Sequence, residues 1–266
     1  MADIMPQTIS DLRSQISDLK YDAVSPEICD LGSEICDLGS GRVTIPSMAH
    51  FIDLENWSRR ELFQFFIGYT NPYFNVCTRV DVAKLVALTR SKPGLKVSGA
   101  IHYFALRIAN ETEPFRYRLK DGGVFVYDVI NGGTTVLLPN DSFAYAYFDY
   151  EHDFERFVAN MGKAVDEVRN STAPLKPTMR DDVIYHTTLP WISFTSFAHA
   201  RTPGRGDSVP RFVFGKFTNE DGRVWMPISI EVHHALVDGL HVGRYLERLE
   251  EALANPEAFI SRAASG

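Results

Sequence analysis

Positive charge is in short supply in this chain: 27 Lys and Arg face 34 Asp and Glu, a net charge of −7, and no run of Lys or Arg occurs. That leaves no electrostatic footprint for a nucleic-acid backbone. No apolar stretch is long enough to span a bilayer. The first thirty residues lack the basic-then-apolar order of a secretory signal, so the sequence reads as cytoplasmic. Cysteine is scarce as well. Cys29, Cys36 and Cys77 are the only three in 266 residues, too few for a disulfide framework. The glycine-containing stretches carry neither a dinucleotide fingerprint nor a phosphate loop.

What is present begins with repetition. Ile9-Ser10-Asp11-Leu12 recurs as Ile16-Ser17-Asp18-Leu19, and Ile28-Cys29-Asp30-Leu31 recurs as Ile35-Cys36-Asp37-Leu38, each seven residues on. The first pair fits coiled-coil a and d positions, but two heptads are too few to hold alone. In the second pair Gly32, Gly39 and Gly41 oppose a helix. Residues 1–47 therefore read as a repetitive, mostly disordered tail with a transient helix over 7–20. More ordinary sequence, and a candidate translation start, begins at Met48. Residues 48–266 are enough to bury one substantial core.

Within that domain Ser58-Arg59-Arg60-Glu61 reads as a capping box opening a helix whose apolar face is Leu62, Phe65 and Phe66. Residues 80–90 and 98–110 read as amphipathic helices, separated by Lys92-Pro93-Gly94. Residues 123–129 and 134–138 read as strands around the turn signal Asn131-Gly132-Gly133. Asp153 to Arg169 reads as a helix, Pro174 and Pro177 as a loop. Strands at 183–189, 191–197, 211–217 and 224–233 precede a closing helix. Helices and strands are mixed without strict alternation. This predicts an α+β fold, a two-layer sandwich with a mixed, largely antiparallel sheet covered by helices.

The densest chemistry lies at Glu231-Val232-His233-His234-Ala235-Leu236-Val237-Asp238-Gly239. Alternation from Val224 puts Met226, Ile228, Ile230, Val232 and His234 on one strand face, with Trp225, Ser229, Glu231 and His233 on the other. Pro227 cannot donate to a ladder, so firm pairing is expected after it or at an edge there. Beyond Gly239 the period becomes helical through Val242, Leu246, Leu249 and Leu253. A His at a strand–turn–helix junction suits proton transfer near neutral pH. It also suits a packed core His with Asp238 as an N-cap, or a metal ligand. The residues alone leave all three open.

Laid out in this order, the segments Asn56-Trp57-Ser58-Arg59-Arg60-Glu61, Lys120-Asp121-Gly122, Leu189-Pro190-Trp191-Ile192-Ser193-Phe194-Thr195-Ser196-Phe197 and His233-His234-Ala235-Leu236-Val237-Asp238-Gly239-Leu240-His241-Val242-Gly243-Arg244 resemble the chloramphenicol acetyltransferases of the trimeric, catalytic-histidine type. The resemblance runs from about residue 50 to about residue 253. The two-histidine motif alone is shared with dihydrolipoyl acyltransferase cores and peptide-synthetase condensation domains; the Trp-x-Arg-Arg-Glu and Pro-Trp segments are more selective.

The resemblance implies the coenzyme-A-dependent acyltransferase fold, acetyl-CoA as co-substrate without a metal, and a chloramphenicol-like alcohol as acceptor. It makes His234 the general base, with Asp238 pairing with Arg59 to fix the loop that carries it. Thr187, four residues ahead of Trp191, takes the oxyanion-donor position. Val213 stands where the family has a threonine beside an active-site water. Lys216 and Phe217 align with the coenzyme-binding pair. Phe65, Phe66, Phe74 and Trp191 are the implied substrate-binding aromatics, while Thr70 and Pro72 depart from the family's usual apolar residue and cysteine. A homotrimer is implied, each His234 facing a pocket supplied largely by the neighbouring copy. An acyltransferase for another hydrophobic alcohol and a catalytically weak binding trimer are the alternatives.

Overall fold

The structure, a computed structural model, describes residues 49–171, 180–201 and 207–261. The tail, its repeats and transient helix, the Met48 boundary and the Pro174–Pro177 loop lie outside them. In chain order the elements are β1 (His50–Phe51), α1 (Arg60–Ile67), β2 (Tyr73–Asp81), α2 (Ala83–Ser91), α3 (Val97–Asn110), a 3₁₀ turn (Glu113–Arg116), β3 (Tyr117–Lys120), β4 (Gly123–Val126), β5 (Asn131–Leu137), β6 (Phe143–Phe148), α4 (Phe154–Arg169), β7 (Val183–Leu189), β8 (Arg211–Gly215), β9 (Thr218–Glu220), β10 (Arg223–His233), α5 (Gly239–Ala254) and α6 (Pro256–Ser261).

The main sheet runs β2-β10-β8-β7-β5-β6, with β9 beside β10. Strands β5, β7 and β8 are parallel to their neighbours in that trio, and the other pairings are antiparallel. This is the mixed, largely antiparallel sheet of an α+β sandwich. Helix α3 is its central cover: Tyr103, Phe104, Leu106 and Ile108 are wholly buried, joined in one core by Phe157 of α4, Tyr245 of α5 and Phe212, Ile228 and Ile230 of the sheet. A smaller sheet, β1-β4-β3, turns on Asp121-Gly122, both at positive φ as a two-residue hairpin requires. The fully buried Arg118 ties it to the main sheet by donating to the carbonyl oxygen of Val183 at 2.6 Å.

Several elements differ from the sequence reading. Asn131-Gly132-Gly133 is no turn but the start of β5. A Cβ on Gly132 would come within 2.1 Å of the Phe148 ring, and one on Gly133 would lie 3.2 Å from the rings of Tyr147 and Tyr185. These glycines are there so that large rings on both neighbouring strands can cross the sheet. The expected helix over 80–90 begins at Ala83, because Val80 and Asp81 complete β2, paired with Met226 and Trp225. Strands β1, β2, β3, β6 and β9 were not foreseen.

Residues 191–197 form no strand. Strands β7 and β8 are parallel, so the chain leaving Leu189 must cross back over the sheet before Arg211. It passes so close to β8 that a Cβ on Gly215 would lie 2.9 Å from the Ile192 carbonyl oxygen. The capping box at Ser58 does not form: the cap position is Arg59, with no side-chain cap, and Phe63 rather than Leu62 or Phe65 is the buried residue of α1. Pro227 lies within β10, in the gap where pairing with β9 ends at Trp225 and pairing with β8 begins at Ile228.

Candidate active site

Strand β10 delivers the two histidines. Met226, Ile228, Ile230 and Val232 point into the helical layer and are buried. The opposite face, which alternation leaves in water, is buried too: Glu231 is 5 % exposed and His233 3 %. Its cover is the chain between β7 and β8. The Arg201 guanidinium donates to Glu231 at 2.7 Å and the His199 backbone N–H at 3.3 Å. Arg201 and Arg211 both pair with Asp207, at 2.8 and 2.6 Å. Burial pushes the Glu231 carboxyl up, but hydrogen bonds from His199 and Arg201 outweigh it and hold the pKa at about 2. Burial and the nearby Arg201 charge lower His233 to about 4, so its ring is neutral at physiological pH. The ring meets Tyr73 edge-on, 5.2 Å between centroids, and its Nδ1 accepts from the Ala235 N–H at 3.3 Å.

The chain then turns sharply. The N–H groups of Leu236 and Val237 both reach the His233 carbonyl at 3.0 Å, and the His234 N–H donates to the Pro72 carbonyl at 2.7 Å. The turn lifts the His234 ring off the sheet onto aromatics from two other elements. Phe66 of α1 stacks on it at 3.8 Å with an interplanar angle of 9°, and Phe74 of β2 lies at 4.7 Å. The ring's Nδ1 is enclosed without a hydrogen bond, 3.5 Å from an Asp238 oxygen, while a third of the side chain remains exposed.

Arg59, just ahead of α1, bonds both oxygens of Asp238, one at 3.1 Å through Nη2 and the other through Nη1, and its Nη2 reaches the His234 carbonyl at 3.5 Å. This fork clamps the start of α5 to the start of α1 and holds the turn between them. Both Asp238 oxygens serve Arg59. The helix start is closed from the other direction, His241 Nδ1 accepting the Asp238 N–H at 3.0 Å. Arg59, Phe66, Phe74, His234 and Asp238 thus meet around this turn, with Phe65 beside Phe66 and 59 % exposed.

Sequence reasoning missed Tyr69 here. It packs on Phe65 and Phe66 at 5.3 and 5.5 Å, and its signal was its place three and four residues beyond those rings. It also missed the Tyr73–Arg201–Glu231 group, whose members lie far apart in sequence.

The remaining candidates lie elsewhere on the chain. Thr187 and the exposed Trp191 line a groove of about 520 Å³ with Tyr145, Tyr185, His199 and Arg211, to which His234 does not contribute. Thr187 is paired with Val213, which is wholly buried. Lys216 and Phe217 line a second cavity of about 390 Å³ between β7, β8 and the first turns of α3. Thr188 borders both. Among the described residues no three His, Cys, Asp or Glu side chains are grouped to hold a metal ion, and no helix is long and apolar enough to cross a membrane.

Residues 48–250 match the chloramphenicol acetyltransferase family. The chain belongs to that family. It is accordingly an acetyltransferase. Similar curated proteins include the chloramphenicol acetyltransferase of Campylobacter coli, 31 % identical over 205 residues covering 76 % of this chain and 97 % of that one. That of Proteus mirabilis is 27 % identical over 75 % of this chain and 92 % of its own length. Among solved structures, a chloramphenicol acetyltransferase superposes with a TM-score of 0.70 at 28 % identity, covering 77 % of this chain and all of the other. The dihydrolipoamide acetyltransferase of Azotobacter vinelandii shares the fold, with a TM-score of 0.58 at 16 % identity over 89 % of this chain and all of that one.

Proposed function

We propose that this protein transfers the acetyl group of acetyl-CoA to a hydroxyl of chloramphenicol or a similarly shaped aromatic alcohol, with His234 as general base. One observation carries the reading: an imidazole held against two aromatic rings, on a turn clamped by Arg59 and Asp238, with one nitrogen shut in and a third of the side chain exposed. The enclosed Nδ1 leaves Nε2 as the working nitrogen.

In the reaction His234 Nε2 accepts the acceptor's hydroxyl proton as that oxygen bonds to the thioester carbonyl carbon. Thr187 donates its hydroxyl hydrogen to the oxyanion that develops. When the carbon–sulfur bond breaks, protonated His234 returns the proton to the departing sulfur. No acyl-enzyme forms; holding the two substrates together supplies much of the rate. Asp238 remains ionised on Arg59 and orients the turn without receiving a proton.

Thr187 and His234 are at different places on one chain, which fits a homotrimer in which the groove of one copy faces the His234 of the next. Phe65, Phe66 and Phe74 beside the base, and Trp191 across from it, would take the acceptor's aromatic ring. Lys216 and Phe217 would hold the coenzyme in the second cavity. Its largely apolar walls suit a pantetheine arm.

The test is thiol release from acetyl-CoA with chloramphenicol over a range of concentrations. The wild type is expected to turn over. His234→Ala should lose about 10²- to 10⁴-fold in kcat, and His233→Ala should lose less. Undiminished turnover by the His234 variant would remove this mechanism. Turnover only with other hydroxylated aromatics would keep the base and change the acceptor.

A further inference from the structure

The groove that holds Thr187 contains one side chain whose chemistry the proposed reaction leaves idle. On the outer face of the sheet Tyr185 is paired with Arg211 and Thr187 with Val213. Arg211 therefore stands one strand over and one row back from Thr187. The spacing between strands, and between residues on one strand face, puts their Cβ stems roughly 8 Å apart. Arg211 belongs to the groove's lining, and its side chain is partly open, 17 % exposed. The walls around it are aromatic. Tyr145 and Tyr147 meet Tyr185 edge-on at 6.4 and 6.3 Å, and Trp191 is 62 % exposed in the same lining. Among the described residues that line the groove, Arg211 is the only one with a permanent charge.

Its Nη1 donates to the Ala200 carbonyl at 2.7 Å and its Nη2 to Asp207 at 2.6 Å. Nε is enclosed without a partner, and each Nη carries a second hydrogen beyond these bonds. Fastening the chain between β7 and β8 does not explain the residue. Arg201 already pairs with Asp207 at 2.8 Å and reaches the Val209 carbonyl at 3.3 Å. Asp207 and Glu231 balance the two arginines in sum, yet neither carboxylate belongs to the groove lining. An occupant of the groove meets the cation ahead of its counter-charges.

We infer that Arg211 is a specificity-determining residue for the acceptor. It favours aromatic alcohols whose ring bears, opposite the reacting arm, a planar hydrogen-bond-accepting group, a carboxylate above all. This rests on the reading that the acceptor's ring lies in this groove beside Thr187. One aromatic ring has the length to separate a hydroxyl at Thr187 from a substituent at the guanidinium. The guanidinium fork matches the two oxygens of a carboxylate, and a flat ring between them suits walls built from tyrosine and tryptophan.

The experiment measures thiol release from acetyl-CoA by the assembled protein with three acceptors of matched length: 4-(hydroxymethyl)benzoate, 4-nitrobenzyl alcohol and 4-methylbenzyl alcohol. Wild-type kcat/KM is expected to fall in that order. The carboxylate should exceed the methyl compound about 10-fold, the lower end for a hydrogen bond to a charged group, because Asp207 shares the guanidinium. Added salt should narrow the gap. Where one of the three is bound but not turned over, its Ki against chloramphenicol is read instead, with the same order expected. Arg211→Gln should bring the carboxylate and methyl compounds level, and Arg211→Lys, which keeps the charge without the fork, should retain part of the preference. Should the glutamine variant not fold, the wild-type order and the lysine variant decide.

A wild type that treats the three alike, or prefers the methyl compound, overturns the inference. So does an Arg211→Gln protein that loses activity towards all three by one common factor, since a residue that only fastens the chain would act in that way. Failure of the wild type to turn over chloramphenicol and all three alcohols overturns the acceptor reading, and this step with it. Turnover of chloramphenicol with indifference to the substituent overturns only this step.

Discussion

Replacing Asp238 by Asn keeps the shape and size of the side chain and removes its charge, which isolates the clamp on Arg59. The two side chains are 12 % and 25 % exposed. Removing one partner of a fully buried pair costs about 3–5 kcal/mol, chiefly through the charge left behind; at this exposure about 2–3 kcal/mol is expected. The carboxylate also sits at the start of α5, where a negative charge contributes about 0.3–1 kcal/mol. The sum is about 3 kcal/mol, or a fall in Tm of about 6–12 °C for a domain of this size.

Arg59→Met with Asp238→Asn discards both charges, so the double variant should recover part of the loss, with a coupling of at least about 1 kcal/mol. Kinetics supply the second measurement. The same fork holds the His234 carbonyl, and a base displaced by about 1 Å can cost 10²-fold, so kcat should fall by about that factor while the KM for acetyl-CoA changes little. Additive stabilities in the cycle, or full kcat in a destabilised Asp238→Asn protein, would refute the view that this ion pair aims the base.

Other expectations follow from particular atoms. Thr187→Val keeps the β-branched shape but not the hydroxyl, and should lower kcat by about 10²-fold or more with both KM values near wild type; Thr187→Ser should retain most activity in the same assay. His102 and His233, held near 4 by burial, refuse protons that the unfolded chain accepts below about 6.5. Stability is therefore complete above pH 6.5 and falls as pH drops towards 4, by up to about 1.4 kcal/mol per pH unit for each ring. Glu231, held at about 2 against an ordinary 4.5, adds stability that is full above 4.5 and is lost between 4.5 and 2. Urea midpoints from pH 7.5 to 2 would measure this, and His102→Leu should flatten the upper part by one proton. Gly132→Ala would drive a methyl into the Phe148 ring and should cost about 3 kcal/mol on thermal melting.

The sequence was readable where periodicity was local. Residues 98–110 and 153–169 were seen as helices within a residue or two of α3 and α4, and the strand leading to His233 was placed within one. It was unreadable where meaning depended on a distant partner. Asn131-Gly132-Gly133 has the composition of a turn, and only the rings of Phe148, Tyr147 and Tyr185 make those glycines part of a strand. Glu231 looks like a solvent-facing residue of a half-buried strand until Arg201, thirty residues earlier, is folded over it. The site divided the same way. The turn after β10 and the Arg59–Asp238 pairing could be written down from motif positions. The distance of Thr187 from His234 within a chain, and the place of Arg211 one row from Thr187, are properties of packing that spacing does not encode.

The passage from β7 to β8 serves two neighbourhoods at once. Its first residues, from Pro190 through Ile192, edge both cavities and press on Gly215, and His199, Arg201 and Asp207 supply the contacts that roof Glu231 and Tyr73. Ligand fit and the footing of the histidine-bearing strand are therefore inherited together. An exchange made here to broaden the range of acceptors will also loosen the floor beneath the base, so gains in breadth should arrive with slower turnover unless the Arg201 contacts are carried along.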